Sequence, residues 1–197
     1  DMYIYGKLGN LTMTKEGINV LMTNLTGKVP PILQRLDYIR FNGEAAGYLH
    51  DLTLTGLFHT GAGMVKTDVM MSIDEQSMSR TYSGSVASAD LDLGKLLNQE
   101  KKFGKVDFNV ELKGFNYKNR YPESYIKGII SSFEYSQYQY ENIMLDGVYK
   151  DGGFNGRLSM DDANGSVQID GNFNVAKTIP DFNLKASVKN LRPHDLH

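Results

Sequence analysis

Apolar and polar residues alternate with period two through most of the chain. Val106, Phe108, Val110 and Leu112 alternate with Asp107, Asn109, Glu111 and Lys113. Val167, Ile169, Gly171, Phe173 and Val175 alternate with Gln168, Asp170, Asn172 and Asn174, and Phe182, Leu184, Ala186 and Val188 with Asn183, Lys185, Ser187 and Lys189. Runs of this kind are strands with one apolar and one wet face. Less regular runs at 17–23, 37–49, 51–60, 64–73, 79–89, 124–135, 138–149 and 153–160 read the same way. Gly61-Ala62-Gly63, Asp151-Gly152-Gly153 and Asp162-Ala163-Asn164-Gly165 look like the hairpin connections between them. The five prolines (30, 31, 122, 180 and 193) fall at or beyond strand ends, where a missing N–H does least harm. The pattern predicts an antiparallel meander.

Two segments read as helical. From Leu91 to Lys102, Leu93, Leu96 and Leu97 recur at helical spacing, with Asp90 or Asp92 as N-cap and Gly104 as stop. Pro31 to Leu36 is a shorter candidate. Both lie between blocks of strands and are expected to be connectors or end plugs. The chain reads as one elongated β domain over 1–197, with sub-blocks 1–99 and 100–197.

Nine glycines fall within strand runs at the apolar parity: Gly43, Gly47, Gly56, Gly84, Gly114, Gly128, Gly147, Gly156 and Gly171. Glycine inside a strand costs backbone entropy and gives up packing. Its recurrence on the inward face implies that this face is crowded or sharply bent. A sheet folded over on itself into a U-shaped trough would produce that, and so would bulged strands in an ordinary sandwich.

Composition narrows the chemistry. Among 197 residues there is no Cys, so there is no disulfide framework, thiolate metal site or cysteine nucleophile. Net charge is −2, with no basic block, which argues against a nucleic-acid partner. No apolar stretch approaches the length of a membrane-spanning helix. The chain opens Asp1-Met2-Tyr3 with no signal peptide and ends at Leu196-His197, so it is read as a piece of a larger protein whose targeting segment lies elsewhere.

Catalytic candidates are poor. The four histidines, His50, His59, His194 and His197, read as turn or surface residues, and no HExxH, GxSxG or Walker-type string is present. Asp161-Asp162-Ala163-Asn164-Gly165 has the composition of a calcium loop but lacks its terminal Glu, and it reads more simply as a turn. No metal, cofactor or enzymatic activity is expected. Phe133, Tyr135, Tyr138 and Tyr140 change parity between Tyr135 and Tyr138, so they straddle a turn or bulge. They could form a sugar or lipid platform, although tyrosine on an exposed strand face is common through β-propensity alone. Lys101 and Lys102, near Lys95 and Lys105, form a small basic patch that reads as a solvated connector rather than a headgroup-docking site.

Several strings occur together in order. They are Phe41-Asn42-Gly43 with Gly47, Leu52-Thr53-Leu54-Thr55-Gly56, Tyr82-Ser83-Gly84-Ser85-Val86, and Leu91-Asp92-Leu93-Gly94-Lys95-Leu96-Leu97. Gly104 and Lys113-Gly114 follow, then Tyr140 through Gly147, Phe154-Asn155-Gly156-Arg157-Leu158, Asp170-Gly171 and Pro180-Asp181-Phe182-Asn183-Leu184. From about residue 30 onward this cadence resembles the AsmA/TamB-like proteins of diderm bacterial envelopes. The resemblance implies an internal, periplasmic part of a membrane-anchored protein, with a long β structure curled into a taco-like trough. It also implies a non-enzymatic role in phospholipid movement between membranes or outer-membrane protein assembly. The expected partners are phospholipid acyl chains and an outer-membrane β-barrel assembly protein, with membrane association through segments outside this chain. The expected groove lining is Val106, Phe108, Val110, Leu112, Ile143, Leu145, Phe154, Leu158, Val167, Ile169, Phe173, Phe182, Leu184 and Val188. A surface or periplasmic β-sandwich binding or adhesion module is the alternative, and an ordinary closed core would use the same residues.

Overall fold

The structure is a computed structural model that describes residues 3–48, 50–74, 76–77, 79–116, 123–174 and 180–190. The expectations for Val175, Pro122, Pro193, His194 and His197 lie outside the described residues. The chain runs β1 (Tyr3–Thr14), α1 (Lys15–Thr26), a 3₁₀ turn (Leu33–Arg35), β2 (Tyr38–Tyr48), β3 (Asp51–Thr60), β4 (Gly63–Ile73), β5 (Arg80–Ala89), β6 (Leu91–Asp92) and α2 (Leu93–Leu97). It continues with β7 (Phe103–Asn116), β8 (Glu123–Tyr135), β9 (Tyr138–Lys150), β10 (Gly153–Asp162), β11 (Gly165–Asn174) and β12 (Asp181–Lys189). The strands form one antiparallel sheet in the order β1-β2-β3-β4-β5-β7-β8-β9-β10-β11-β12, with the two-residue β6 beside β7. The predicted meander is therefore present, and the sheet stays open: β1 and β12 are its two edges. Pairing of β5 with β7 carries it without a break past residue 100.

Three local readings change. Residues 17–23, predicted as strand, lie in α1. Thr14 Oγ1 accepts the Gly17 N–H at 3.4 Å, and the left-handed Gly27 (φ 75°) donates to Thr23 O at 2.9 Å. Ile18 and Met22, four residues apart, turn toward the core, so caps and helical period together prevail over a short alternation. The preceding strand β1 has no counterpart in the sequence reading. A bulge between Leu8 and Leu11, with Asn10 at φ 62°, switches the inward parity from Gly6 and Leu8 to Leu11 and Met13 and hides the period. The helix expected over 91–102 shortens to α2, because Asp92 caps Lys95 N at 2.8 Å and the left-handed Asn98 (φ 57°) ends it before Gly104 is reached. The shorter candidate at 31–36 is the 3₁₀ turn.

Strand register places all nine glycines on one face. A Cβ built on any of them would come within 3.0 Å of backbone in the neighbouring strand, so the chains approach more closely there than an ordinary residue permits. Gly47, Gly84 and Gly171 also hold φ of 130°, 139° and 142°. Such close approach on one side is the geometry of a sheet bent toward this face, so we infer the bend from it.

The buried core sits at one end of the strands. Ile18 of α1, Leu36, Ile39, Ala62, Leu91, Leu96 of α2 and Val106 form it, with Phe58, Phe108, Ile130 and Phe133 packed against it. α2 and the 3₁₀ turn, expected as connectors or end plugs, take part in this core, and α1, which the sequence reading took for strand, completes the plug. Arg35 Nη1 donates to Leu96 O at 2.5 Å, joining the 3₁₀ turn to α2, and Lys95 Nζ reaches Asp37, the residue before β2, at 2.8 Å.

Replacing Gly84 by Ala should lower stability by about 1–3 kcal/mol, since both its backbone conformation and its space exclude a side chain. Gly9→Ala, with nothing within 4 Å, should stay within about 0.5 kcal/mol in the same urea titration. Equal effects at the two sites would overturn the close-approach argument.

Candidate functional site: the apolar face

Cross-strand pairing aligns the bent face into rows that run across the strands. The row nearest the plug contains Phe41, Phe58 and Val65 and, beyond β5, Phe108, Ile130, Ile143, Met160, Val167 and Val188. The row at the opposite end contains Leu52, Met71, Tyr82, Tyr149, Phe154, Phe173 and Phe182, with Gly114 and Ser124 in its middle. Seven of the nine glycines occupy the two rows between them, beside Val86, Val110, Leu112, Ile126, Leu145, Leu158 and Ile169. Large side chains therefore flank a central strip where adjacent backbones come closest.

All fourteen residues expected to line a groove lie on this face. Val106 and Ile143 are buried, Val106 as part of the plug core. Phe108, Val110, Leu112, Leu145, Phe154, Leu158, Val167 and Ile169 are half-buried. Phe173, Phe182, Leu184 and Val188 are 37%, 59%, 43% and 50% exposed, so toward β12 the face opens to solvent. A sealed core would bury them.

Aromatic rings lie down on the glycines. A Cβ at Gly43 or Gly56 would meet the Phe41 ring at 2.7 or 2.6 Å, and one at Gly147 would meet Phe154 at 2.5 Å. The repeated Phe-Asn-Gly strings at 41–43 and 154–156 thus share a physical cause: in each, a ring covers part of a cross-strand glycine pair, 43/56 or 147/156. Tyr82 crosses Gly114 and hydrogen-bonds the buried Ser124 hydroxyl two strands away. The sequence reading missed this polar link, although Tyr82 and Gly114 both stood among the recurring strings.

The aromatic cluster is also placed here. Ser136 and Gln137 (φ 50° and 69°) make a two-residue turn that pairs Tyr135 with Tyr138 and Phe133 with Tyr140. All four rings share the apolar side with Phe103, not the exposed face of the strands. Centroid distances of 4.6 Å for Tyr138–Tyr140 and 6.3 Å for Phe133–Tyr140 connect them. Tyr138 donates to Asp162 at 3.0 Å and accepts from Asn164 at 2.8 Å, and burial followed by the Asp162 bond pushes its hydroxyl above the usual range. Asp162 also accepts the Asn164 N–H at 2.8 Å, so the suspected calcium loop is a turn whose oxygens have work of their own. His50 stacks on Tyr48, and His59 is half-buried on the wet side of β3.

Opposite the apolar rows, the wet face carries charges of alternating sign. Glu111, Lys127, Asp146, Arg157, Asp170 and Lys185 are successive cross-strand neighbours from β7 to β12. Lys127–Asp146 is 3.5 Å and Arg157–Asp170 2.6 Å, and Tyr125 donates to Asp146 at 2.8 Å. A depression of about 490 Å³ over Ile129 and Met144 also lies on this face. Gln168 and Arg157 hold the Asp170 carboxyl below its ordinary range, Lys95 does the same for Asp37, and Ser77 for Asp74.

Compared with known protein families, curated proteins and solved structures, the chain matches none. Fold and face define it as an open, single-sheet β meander with one continuous apolar surface.

Because these three carboxyls have lowered pKa values in the folded chain, they stabilise it fully above about pH 4, the unfolded carboxylate value. That contribution is lost as pH falls through the lowered values. The Lys95 pKa is raised, first through its bond to Asp37, so its part is lost only as pH rises beyond the ordinary lysine value. The melting temperature should fall from pH 5 toward pH 2. Asp170→Asn should flatten part of that slope, and an unchanged slope would remove Asp170 from the account.

Proposed function

We propose that the chain is a non-enzymatic segment of a periplasm-spanning AsmA/TamB-like protein, whose apolar face holds phospholipid acyl chains in transit between membranes or supports outer-membrane protein assembly. The observation that carries this reading is the single open sheet with all fourteen expected lining residues on one face, increasingly exposed toward β12. Eleven ladder strands at about 4.8 Å each give a face roughly 50 Å long, suited to one section of a longer conduit. Acyl chains would be held by unspecific apolar contact, at about 0.8 kcal/mol per buried methylene. Such a role requires no nucleophile or general base. A sandwich-type adhesion module would call for two packed sheets, whereas the described strands form one.

Native mass spectrometry of the chain purified from a diderm host tests the reading. Phospholipid should remain bound and should fall severalfold in Leu158→Asn and in Phe173→Asp with Leu184→Asp, the latter pair being exposed and so compatible with folding. A folded, lipid-free chain would sink the proposal, and so would lipid retained equally by these variants.

A further inference from the structure

The outer surface of the plug is not the polar surface that a simple cap would present. Val20 and Leu21 on α1 are 63% and 38% exposed, Ile32 before the 3₁₀ turn 43%, and Leu97 at the end of α2 39%. Ile18 and Met22 pack the core side of α1; Val20 lies on the far side and Leu21 at the margin, and neither belongs to the core cluster, so both are surplus to its packing. The 3₁₀ turn touches both helices, and Arg35 binds the carbonyl of Leu96, next to Leu97. The elements that carry the four apolar side chains therefore form one linked end of the molecule. Lys101 and Lys102 lie in the loop after α2, beyond Asn98, Gln99 and Glu100, exposed and without an ion-pair partner among the described residues. With Glu100 they give this loop a net charge of +1.

We propose that this end of the plug is a docking surface for an anionic lipid bilayer. Aliphatic tips suit insertion among acyl chains, and flanking lysines suit the headgroup layer, so the two weak signals act together. A protein partner would be expected to find aromatic or arginine anchors at the centre of its patch, and the four exposed side chains here are all aliphatic. The surface lies apart from the open rows near β12, so docking is separate from holding lipid in the groove.

Sedimentation with vesicles tests this in the intact chain. One set is phosphatidylcholine alone, and the other contains one third phosphatidylglycerol, at low salt. The chain should pellet with the anionic vesicles. Val20→Asp with Leu97→Asp should cut binding to them by about tenfold, the scale of a partly buried aliphatic side chain. Lys101→Glu with Lys102→Glu should cut it by about tenfold or more at low salt, with the difference shrinking as salt is added. Folding is checked by circular dichroism, and should the apolar pair fail to fold, the lysine pair decides alone. Absence of pelleting, equal pelleting by the folded variants, or loss caused equally by Phe173→Asp with Leu184→Asp would overturn the proposal. A soluble dimer dissolved by Val20→Asp, with no vesicle binding, would overturn it in favour of a protein interface.

Discussion

Adjacent backbones approach one another over the apolar face more closely than a Cβ allows, and the architecture depends on that approach. Each strand-interior glycine costs roughly 0.5–1 kcal/mol relative to alanine. Nine such positions on one face are a standing penalty, tolerated where curvature is needed. If each became alanine, the inward contacts under 3.0 Å would push the strands apart and flatten the sheet. A flatter sheet would turn its large side chains away from one another and leave the face without cover.

Bending alone would leave bare backbone along the strip. The rings of Phe41 and Phe154 cover part of it, lying across glycines instead of standing upright, and Tyr82 does the same over Gly114 in the outer row. This arrangement, in which an aromatic side chain shields a cross-strand glycine, recurs in sheets that must curve. On the other face, a one-residue slip would move every apolar residue outward. The sign-alternating row from Glu111 to Lys185 opposes such slips by matching each charge to its neighbour, although each exposed pair contributes only about 0–1 kcal/mol. Curvature and register are thus supported from opposite sides of the same strands.

Most of the sheet was legible because regular alternation records a two-sided surface directly. The strands from β7 to β12 were found on that signal, and so was the common face of all fourteen lining residues. Two of the losses come from a local break in the period. The bulge at Asn10 erased β1, and the register shift in β8 near Ser131 disguised the side on which Phe133 and Tyr135 sit. In α1 the cap residues Thr14 and Gly27 were in plain view but outside the window that showed alternation. The Tyr82–Ser124 link could not be read at all, because residues two strands apart leave no mark in a one-dimensional pattern.

The glycines also bear on what the face can do. A site that recognises one ligand needs polar groups fixed at particular points, and the flanking and central rows supply few: Thr67, Ser88, Ser124 and the hydroxyls of Tyr82 and Tyr149 among branched and aromatic side chains. Ser88 is occupied by the backbone of Val106 and Phe108, and Ser124 by Tyr82. On the proposed function, the remaining surface would discriminate by shape and length rather than by hydrogen bonding, with its shape set by where side chains are missing. Selectivity on such a face would change through substitutions at glycine and at the rings that cover it, while the aliphatic rows would tolerate exchange among themselves.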